Sequence, residues 1–311
     1  MKILLISSYI FGYMDFAVEE MKRQGHEVEV LYYEDAPLKF EYNNIFHKIS
    51  AGIGKLFGEN AKKKAREEAL KKRFRGKSFD YTLIIHGQYL NQETHVFLKS
   101  ISNKYVAYFF DSLTKMPEQR KLAHYFDEVF SYEPEDCKSE SYTFIPNFIA
   151  TDKLRSDSHK HQIFNISAYD HRWNKLNRLA EYLHQHKIDF KFIIFSKKRK
   201  SFKLFSVTTA KLPISEIEDY IRDCKIMVDI QRKDQKGLSF RPFEALGNHK
   251  KLITNNPEIK KYDFYNENNI LVIDPENIQI PSEFLTSNYQ KVPMEVYNKY
   301  TIATWIKTIL S

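Results

Sequence analysis

The residues best suited to chemistry lie between a buried strand and a short helix. The strand is predicted at Ile226–Ile230, and Ser239 stands at the N-cap of a helix predicted over Phe240–Leu246. A helix N-terminus at the carboxyl edge of a parallel sheet binds anions through its free N–H groups and dipole. Arg241 can contact a diphosphate through two hydrogen bonds, and Glu244 can accept hydrogen bonds from ribose hydroxyls. The alternative is that Glu244 only supports the first turn and Arg241 is a solvated cation.

Several common catalytic motifs are absent from the sequence. It has neither G-x-G-x-x-G nor a P-loop, and neither H-E-x-x-H nor G-x-S-x-G. These absences disfavour a dehydrogenase, a kinase, a zinc hydrolase and a serine hydrolase. There is also no D-x-D pair to hold a divalent metal on a sugar nucleotide, and the two cysteines, Cys137 and Cys224, offer no metal site. We therefore expect no metal and no cofactor.

The stretch from Ile226 to Asn256 resembles the donor-binding signature of GT-B glycosyltransferases, E-A-x-A-x-G-x-x-x-I, which here reads Glu244–Ile253. It is closer to the CgeB-like branch and its relatives in surface-polysaccharide synthesis, such as lipopolysaccharide or capsule. There R-x-D precedes R-x-F-E-A, as in Arg232–Asp234 and Arg241–Ala245 here. The first glutamate of the E-x7-E pattern of many GT-B enzymes is Lys236, so that glutamate is missing or replaced by Asp234.

Shorter matches to the same family run from about residue 80 to 275. They include Tyr108–Ser112, Phe126–Phe130, Tyr132–Asp136 and Ile145–Asn147, with Val207–Leu212 where the family reads the nucleobase. The resemblance implies a nucleotide-sugar substrate, whose diphosphate would be neutralised by helix N-termini and by cations such as Arg172 and the Lys197–Lys200 run. The predicted donor-binding residues are Ser239, Phe240, Arg241, Glu244, Arg172, Lys198, Val207, Thr208 and Asp234.

Two polar residues that follow buried strands are candidates for the catalytic base of glycosyl transfer. Asp111 comes after the strand Lys104–Phe110, and His86 comes after Tyr81–Ile85. Each could instead be a hydrogen-bonding group that orients a loop. Gly12 and Tyr13, after the first strand, could let the backbone approach donor or acceptor, or could simply form a tight turn.

The elements that must position these residues alternate between apolar strands and helices, which predicts an α/β fold of parallel sheets covered on both faces. The implied architecture is GT-B, with two Rossmann-like domains that face a central cleft. We expect an acceptor domain over 1–150, a donor domain over 151–293 and a C-terminal helix over 294–311 that could cross back to the first domain. The remaining predicted elements are Lys2–Ser7, Met14–Arg23, Glu27–Tyr32, Gln92–Ile101, Glu128–Ser131, Ile163–Ser167, Lys175–His186, Phe190–Phe195, Ser215–Asp223, Lys251–Thr254, Ile270–Ile273 and Met294–Leu310.

The positive charge of the chain comes from one segment. The 311 residues carry a net charge of +8, and Lys48–Lys77 holds eleven Lys or Arg against three Glu, which accounts for the whole excess. Apolar residues at 49–57 followed by these cations favour docking on an anionic membrane, at about 1 kcal/mol per cation. A solvated helix and a nucleic-acid patch are the alternatives. The predicted membrane contacts are Lys62, Lys63, Lys64, Lys71, Lys72 and Arg73.

Together these patterns predict a glycosyltransferase that moves a sugar from a nucleotide sugar to a cell-surface glycan or a lipid-linked saccharide without a metal. We expect a bacterial enzyme that is cytoplasmic and peripheral on the inner face of the plasma membrane, with no nucleic-acid partner. One alternative is a non-catalytic GT-B scaffold, which the Lys236 departure favours. A less favoured alternative is a nucleic-acid-binding protein that uses the basic segment.

Overall fold

The computed structural model describes residues 1–9, 12–33, 61–210, 212, 214–233 and 235–311, with side chains for all of these except 61–64 and 214. Contacts divide the chain into two compact units. The first holds Met1–Ser131, Asp136–Phe144 and Leu310, and the second holds Tyr132–Glu135, Ile145–Ile309 and Ser311. The second unit thus begins at Ile145, and its contacts also include the short segment Tyr132–Glu135.

The first unit is a six-stranded sheet in the order β2-β1-β3-β4-β5-β6, in which every neighbouring pair is parallel. Its described elements are β1 (Lys2–Ser7), α1 (Tyr13–Arg23), β2 (Glu27–Tyr32), α2 (Ala61–Phe74), β3 (Phe79–Ile85), a 3-10 turn (Gly87–Tyr89), α3 (Gln92–Ser100), β4 (Ser102–Phe109), a 3-10 segment (Pro117–Tyr125), β5 (Glu128–Ser131), α4 (Pro134–Glu140) and β6 (Thr143–Phe144).

The second unit is also a six-stranded parallel sheet, in the order β12-β11-β10-β7-β8-β9. Its described elements are β7 (His161–Ala168), α5 (Trp173–Gln185), β8 (Phe190–Phe195), β9 (Ser206–Thr208), α6 (Ile214–Arg222), β10 (Cys224–Asp229), α7 (Phe240–Gly247), β11 (Lys251–Thr254), a 3-10 segment (Pro257–Lys261), β12 (Ile270–Val272), α8 (Ser282–Thr286), α9 (Met294–Lys299) and α10 (Ile302–Ile309).

Buried, nearly continuous apolar strands explain both sheets. In β1, residues Ile3–Ile6 are fully buried although successive side chains point to opposite faces, so both faces of the strand must be covered. The same holds for Ile226–Val228 in β10. The predicted α/β class with two parallel sheets is confirmed. Five of the predicted strands have the predicted bounds, namely Lys2–Ser7, Glu27–Tyr32, Glu128–Ser131, Phe190–Phe195 and Lys251–Thr254.

The C-terminal helical stretch predicted over Met294–Leu310 is two helices, α9 and α10, rather than one. Between them, the carbonyl of Tyr300 accepts a hydrogen bond from the Ile149 amide at 2.8 Å, and Thr301 forms an isolated parallel bridge with Ile149. The Tyr300 carbonyl is thereby bonded outside the helices, and residues 300 and 301 separate α9 from α10. Whether residues 294–311 cross to the first domain stays a prediction.

A buried lysine connects β11 to the end of α8. The Lys251 side chain is fully buried, and its Nζ donates to the Phe284 carbonyl and to the Ser287 hydroxyl, both at 2.6 Å. Burial lowers the pKa of Lys251 from 10.5 to about 8, and the neighbouring Lys225 cation adds to this effect. The ammonium group therefore caps helix carbonyls at a cost in solvation.

The lowered pKa of Lys251 predicts a pH-dependent stability. Between about pH 8 and 10.5 the unfolded chain binds more protons at this residue than the folded chain. The free energy of unfolding of the wild type should therefore rise relative to Lys251→Met, by at most about 1.4 kcal/mol per pH unit. Urea unfolding across this range measures the difference. Substitution of the exposed Lys153 by Met is the control, and parallel curves for wild type and K251M would contradict the assignment.

Candidate functional site

The predicted donor residues at the start of α7 meet at the carboxyl end of β10. Ser239 caps the helix, because its hydroxyl accepts a hydrogen bond from the Arg241 amide at 3.2 Å. The same hydroxyl donates to Asp229 Oδ1 at 3.1 Å. Arg241 Nη1 lies 2.8 Å from Glu244 Oε2, and these side chains are 19% and 14% exposed. Arg241 and Glu244, three residues apart on the helix, thus form an ion pair. Phe240, the first residue of α7, is buried against Phe148.

Asp229, the last residue of β10, interacts electrostatically with both predicted cations, Arg241 and Arg172. Burial raises the pKa of the Asp229 carboxyl above 3.8, while the charges of Arg241 and Arg172 and the Ser239 hydrogen bond oppose the rise. In the described part of the chain, Asp229 Oδ2 has no hydrogen-bond partner. Asp229 is not among the residues predicted from the sequence, although an acidic residue inside the apolar run Ile226–Ile230 indicates a special role.

Arg172 reaches the same strand end from the neighbouring strand. It precedes α5, and its Nη1 donates to the Ile230 carbonyl at 3.3 Å. Its Nη2 lies 2.7 Å from Asp170 Oδ2. Because β7 and β10 are adjacent, the loop after β7 lies beside the loop after β10. The structure therefore brings together Arg172, Ser239, Arg241 and Glu244, as the sequence predicts.

The loop between β10 and α7 is held by a segment that follows β5 in the chain. Glu133 is buried, and its Oε2 accepts hydrogen bonds from the Lys236 and Gly237 amides at 3.0 and 3.1 Å. Lys236 Nζ pairs with Glu135 at 3.0 Å. A carboxylate thus contacts the backbone at the position where the E-x7-E pattern has its glutamate. Asp234, the proposed replacement, lies outside the described residues.

Three other predicted donor residues lie farther along the same sheet edge. Val207 and Thr208 are half-buried in β9, three strands from β10, or about 14 Å at ordinary strand spacing. Part of the expected turn is therefore strand, and Thr208 Oγ1 donates to the Ala210 carbonyl at 2.7 Å. Lys198 is exposed in the loop after β8. The structure does not bring these residues to Arg241.

The two predicted bases meet in the first unit. His86 Nε2 lies 3.7 Å from Asp111 Oδ2, at the adjacent ends of β3 and β4. Asp111 also forms an ion pair with Lys115. Burial alone would raise the pKa of Asp111, but His86 and Lys115 lower it below 3.8. His86 has a left-handed backbone, φ 60°, which is uncommon for a residue other than glycine. Sequence reasoning missed Ser8, whose Oγ lies 2.5 Å from His86 Nδ1.

Gly12 and Tyr13 lie at the start of α1, in the same unit. Gly12 is the N-cap residue with φ 77°, a left-handed conformation that glycine adopts without steric cost, which favours the turn interpretation. Tyr13 is half-buried as the first helical residue.

The described part of the basic segment is partly neutralised within the first unit. Lys71 Nζ lies 2.9 and 3.1 Å from carboxylates of Glu68 and Glu93, and Arg73 Nε lies 3.5 Å from Glu29. Lys72 is exposed. The side chains of Lys62, Lys63 and Lys64, and the apolar residues at 49–57, lie outside the described residues. The helices that are described are all too short or too polar to span a bilayer.

No protein-family model and no curated protein sequence matches the chain. Solved structures do match along its whole length. The UDP-forming trehalose-phosphate synthase of Burkholderia vietnamiensis is 8% identical, with 100% of this chain and 99% of that chain covered and a TM-score of 0.59. Anabaena HepE in complex with UDP and glucose is 12% identical, with 100% and 98% covered and a TM-score of 0.57. The UDP-GlcNAc 2-epimerase of Neisseria meningitidis, bound to UDP-GlcNAc, is 11% identical, with 100% and 98% covered and a TM-score of 0.53.

The chain has the GT-B fold. At these identities the likeness concerns architecture alone, and it agrees with the two parallel sheets described above. The predicted CgeB-like branch of GT-B proteins is not tested by it.

The contact between Gly237 and Tyr132 in this GT-B chain yields a stability prediction. A Cβ atom at position 237 would lie 2.3 Å from the Tyr132 carbonyl oxygen. Gly237→Ala should therefore lower the free energy of unfolding by about 1–3 kcal/mol, measured by chemical denaturation. Lys233→Ala, an exposed residue of the same loop, should change it by less than about 0.5 kcal/mol. An unchanged stability of G237A would mean that the segment 132–135 does not lie on this loop in solution.

Proposed function

We propose that this chain is a glycosyltransferase that transfers a sugar from a nucleotide-sugar donor. The observation that carries the proposal is the convergence of Arg172, Arg241 and the Ser239-capped start of α7 at the carboxyl end of β10. Two guanidinium groups beside a helix N-terminus form a site for a diphosphate. In a GT-B fold this edge of the second unit is the place proposed for the donor.

The ion pairs in this group suit such a site. Asp170 holds the Arg172 guanidinium and Glu244 holds that of Arg241, so neither side chain has to lose much rotamer freedom when an anion binds. Glu244 Oε2 accepts from Arg241, and its carboxylate is proposed to accept also from the ribose hydroxyls. Neutralisation by these cations and by the helix is proposed to make a divalent metal unnecessary.

The base is proposed to be His86. Asp111, whose pKa is lowered and which forms an ion pair with Lys115, is a weak proton acceptor and is suited to stabilise the imidazolium that forms. The acceptor hydroxyl would lose its proton toward His86 while the diphosphate leaves with the electron pair of the broken glycosidic bond.

The structural neighbours support a sugar-nucleotide substrate. Their names include UDP, glucose and UDP-GlcNAc, so UDP sugars are the first donors to test. A saccharide or lipid-linked acceptor, the CgeB-like branch and a role in bacterial lipopolysaccharide or capsule synthesis are part of the proposal and rest on the sequence resemblance. A cytoplasmic position on the plasma membrane is also part of it and rests on the basic segment. The competing function is a non-catalytic scaffold, which Lys236 in place of the usual glutamate favours.

Substitution of Arg241 tests the donor site. Arg241→Ala should weaken the binding of a nucleoside diphosphate by about 10- to 100-fold, because a charge-assisted hydrogen bond contributes about 1.5–3 kcal/mol. Thermal shift with UDP, GDP, CMP and ADP identifies the ligand, and calorimetry measures the Kd. Arg178→Ala is the control, since its guanidinium pairs with Glu276 in the same unit. Equal affinities in R241A and wild type would reject the site.

Donor turnover separates the enzyme from the scaffold. An enzyme should release free nucleotide from the donor in the presence of EDTA, and the release should be lost in Arg241→Ala and Glu244→Ala. A chain that binds nucleotide sugars without turnover would support the scaffold.

The membrane proposal rests on the cations of the basic segment. Reversal of Lys62, Lys63, Lys64 and Lys72 to Glu should abolish flotation with anionic liposomes, whereas Arg73→Glu alone should have the smaller effect because Arg73 is paired with Glu29. Flotation that is unchanged in the fourfold variant would exclude docking through this segment.

A further inference from the structure

Three neighbouring strands of the first unit end in side chains that contact one another. Ser8 follows β1 directly, His86 follows β3 directly, and Asp111 comes two residues after β4. β1 pairs with β3 and β3 pairs with β4, in a register that aligns Ile6 with Ile84 and Ile85 with Tyr108. The pairing therefore fixes the order Ser8, His86, Asp111 along the sheet edge.

The charges around His86 decide which ring nitrogen carries the proton. Asp111 is ionised, since His86 and Lys115 hold its pKa low against the effect of burial. Its carboxylate can only accept hydrogen bonds, and it lies 3.7 Å from Nε2. A proton on Nε2 is attracted to this carboxylate, whereas a lone pair there would be repelled. Nδ1 is then the acceptor, and the Ser8 hydroxyl, 2.5 Å away, is the donor.

Exposure differs between Ser8 and His86. His86 is buried, with 8% of its surface exposed, while Ser8 is half-exposed. The left-handed backbone of His86 indicates that the surrounding structure fixes this residue, because such a conformation persists only where the surroundings determine it. A substrate hydroxyl therefore reaches the Ser8 oxygen more readily than the buried ring.

We propose that Ser8 is a catalytic residue that relays the proton of the acceptor hydroxyl to His86 Nδ1, with Asp111 fixing the Nε2–H tautomer. The acceptor oxygen bonds to the anomeric carbon and gives its proton to Ser8 Oγ, and Ser8 gives its own proton to Nδ1. The bond between the anomeric carbon and the phosphate oxygen breaks, and its electron pair leaves on the nucleoside diphosphate. The relay rests on the proposed function for its substrate, but the tautomer does not.

The tautomer is measured by long-range 1H–15N correlation spectra of the 15N-histidine-labelled full chain at alkaline pH, where imidazoles are neutral. His86→Gln assigns the His86 signals among the eleven histidines. The wild type should show a protonated Nε2 and an unprotonated Nδ1. Ser8→Ala should shift the Nδ1 resonance, and the exposed Ser139→Ala should not. A proton on Nδ1 in the wild type would overturn the relay, whether or not the chain transfers sugar.

Kinetics provide the second arm once a donor and an acceptor are identified. Ser8→Ala should lower kcat by about 100-fold or more, with little change in the KM of the donor. Ser8→Thr, which restores the hydroxyl, should recover most of the loss, and Ser139→Ala should have no effect. A Ser8→Ala enzyme with wild-type kcat overturns the relay and leaves the transferase proposal standing. A chain with the expected tautomer but no turnover of any nucleotide sugar would reject the transferase proposal and the relay with it, and only the tautomer assignment would stand.

Discussion

Parallel strand pairing is the constraint on which both groups of functional side chains depend. In each sheet every neighbouring pair of strands runs the same way, so all strand ends of one polarity lie along one edge. Residues that are far apart in sequence are adjacent there because their strands are neighbours, as with Ser8 and His86 in the first unit and Arg172 and Ser239 in the second. The strands are buried on both faces, and for this reason they read as continuous apolar runs in the sequence.

Within the second unit, a buried carboxyl organises the proposed donor site. Asp229 accepts from Ser239, which caps α7, and it lies in the field of Arg172 and Arg241. Its raised pKa shows that the guanidinium groups do not fully offset its burial. Each guanidinium is also paired with its own carboxylate, Asp170 or Glu244. The cluster is therefore a pre-organised set of charged side chains. An anionic ligand would compete with the carboxylates for the two guanidinium groups.

Strands are predictable from the sequence where apolar runs are continuous. Helix caps are predictable where the residues that form them are close together in the sequence. Ser239, Arg241 and Glu244 lie within six consecutive residues at the start of one helix, so their proximity follows from spacing alone. The short edge strands β6 and β9 were not predicted, because neither Thr143–Phe144 nor Ser206–Thr208 is a continuous apolar run. The split between α9 and α10 depends on a backbone contact with Ile149, about 150 residues away. Ser8 was missed because its partner, His86, is brought to it by the order of the strands in the sheet. Asp229 was missed because its partner, Ser239, is brought to it by the loop after β10.

The most direct test of the account is a crystal structure of the full chain with a bound nucleoside diphosphate. The diphosphate should lie at the start of α7, with its oxygens within hydrogen-bonding distance of the Arg241 guanidinium. Arg172 should lie on the same ligand or beside it. A diphosphate bound elsewhere, with Arg241 still paired only with Glu244, would contradict it.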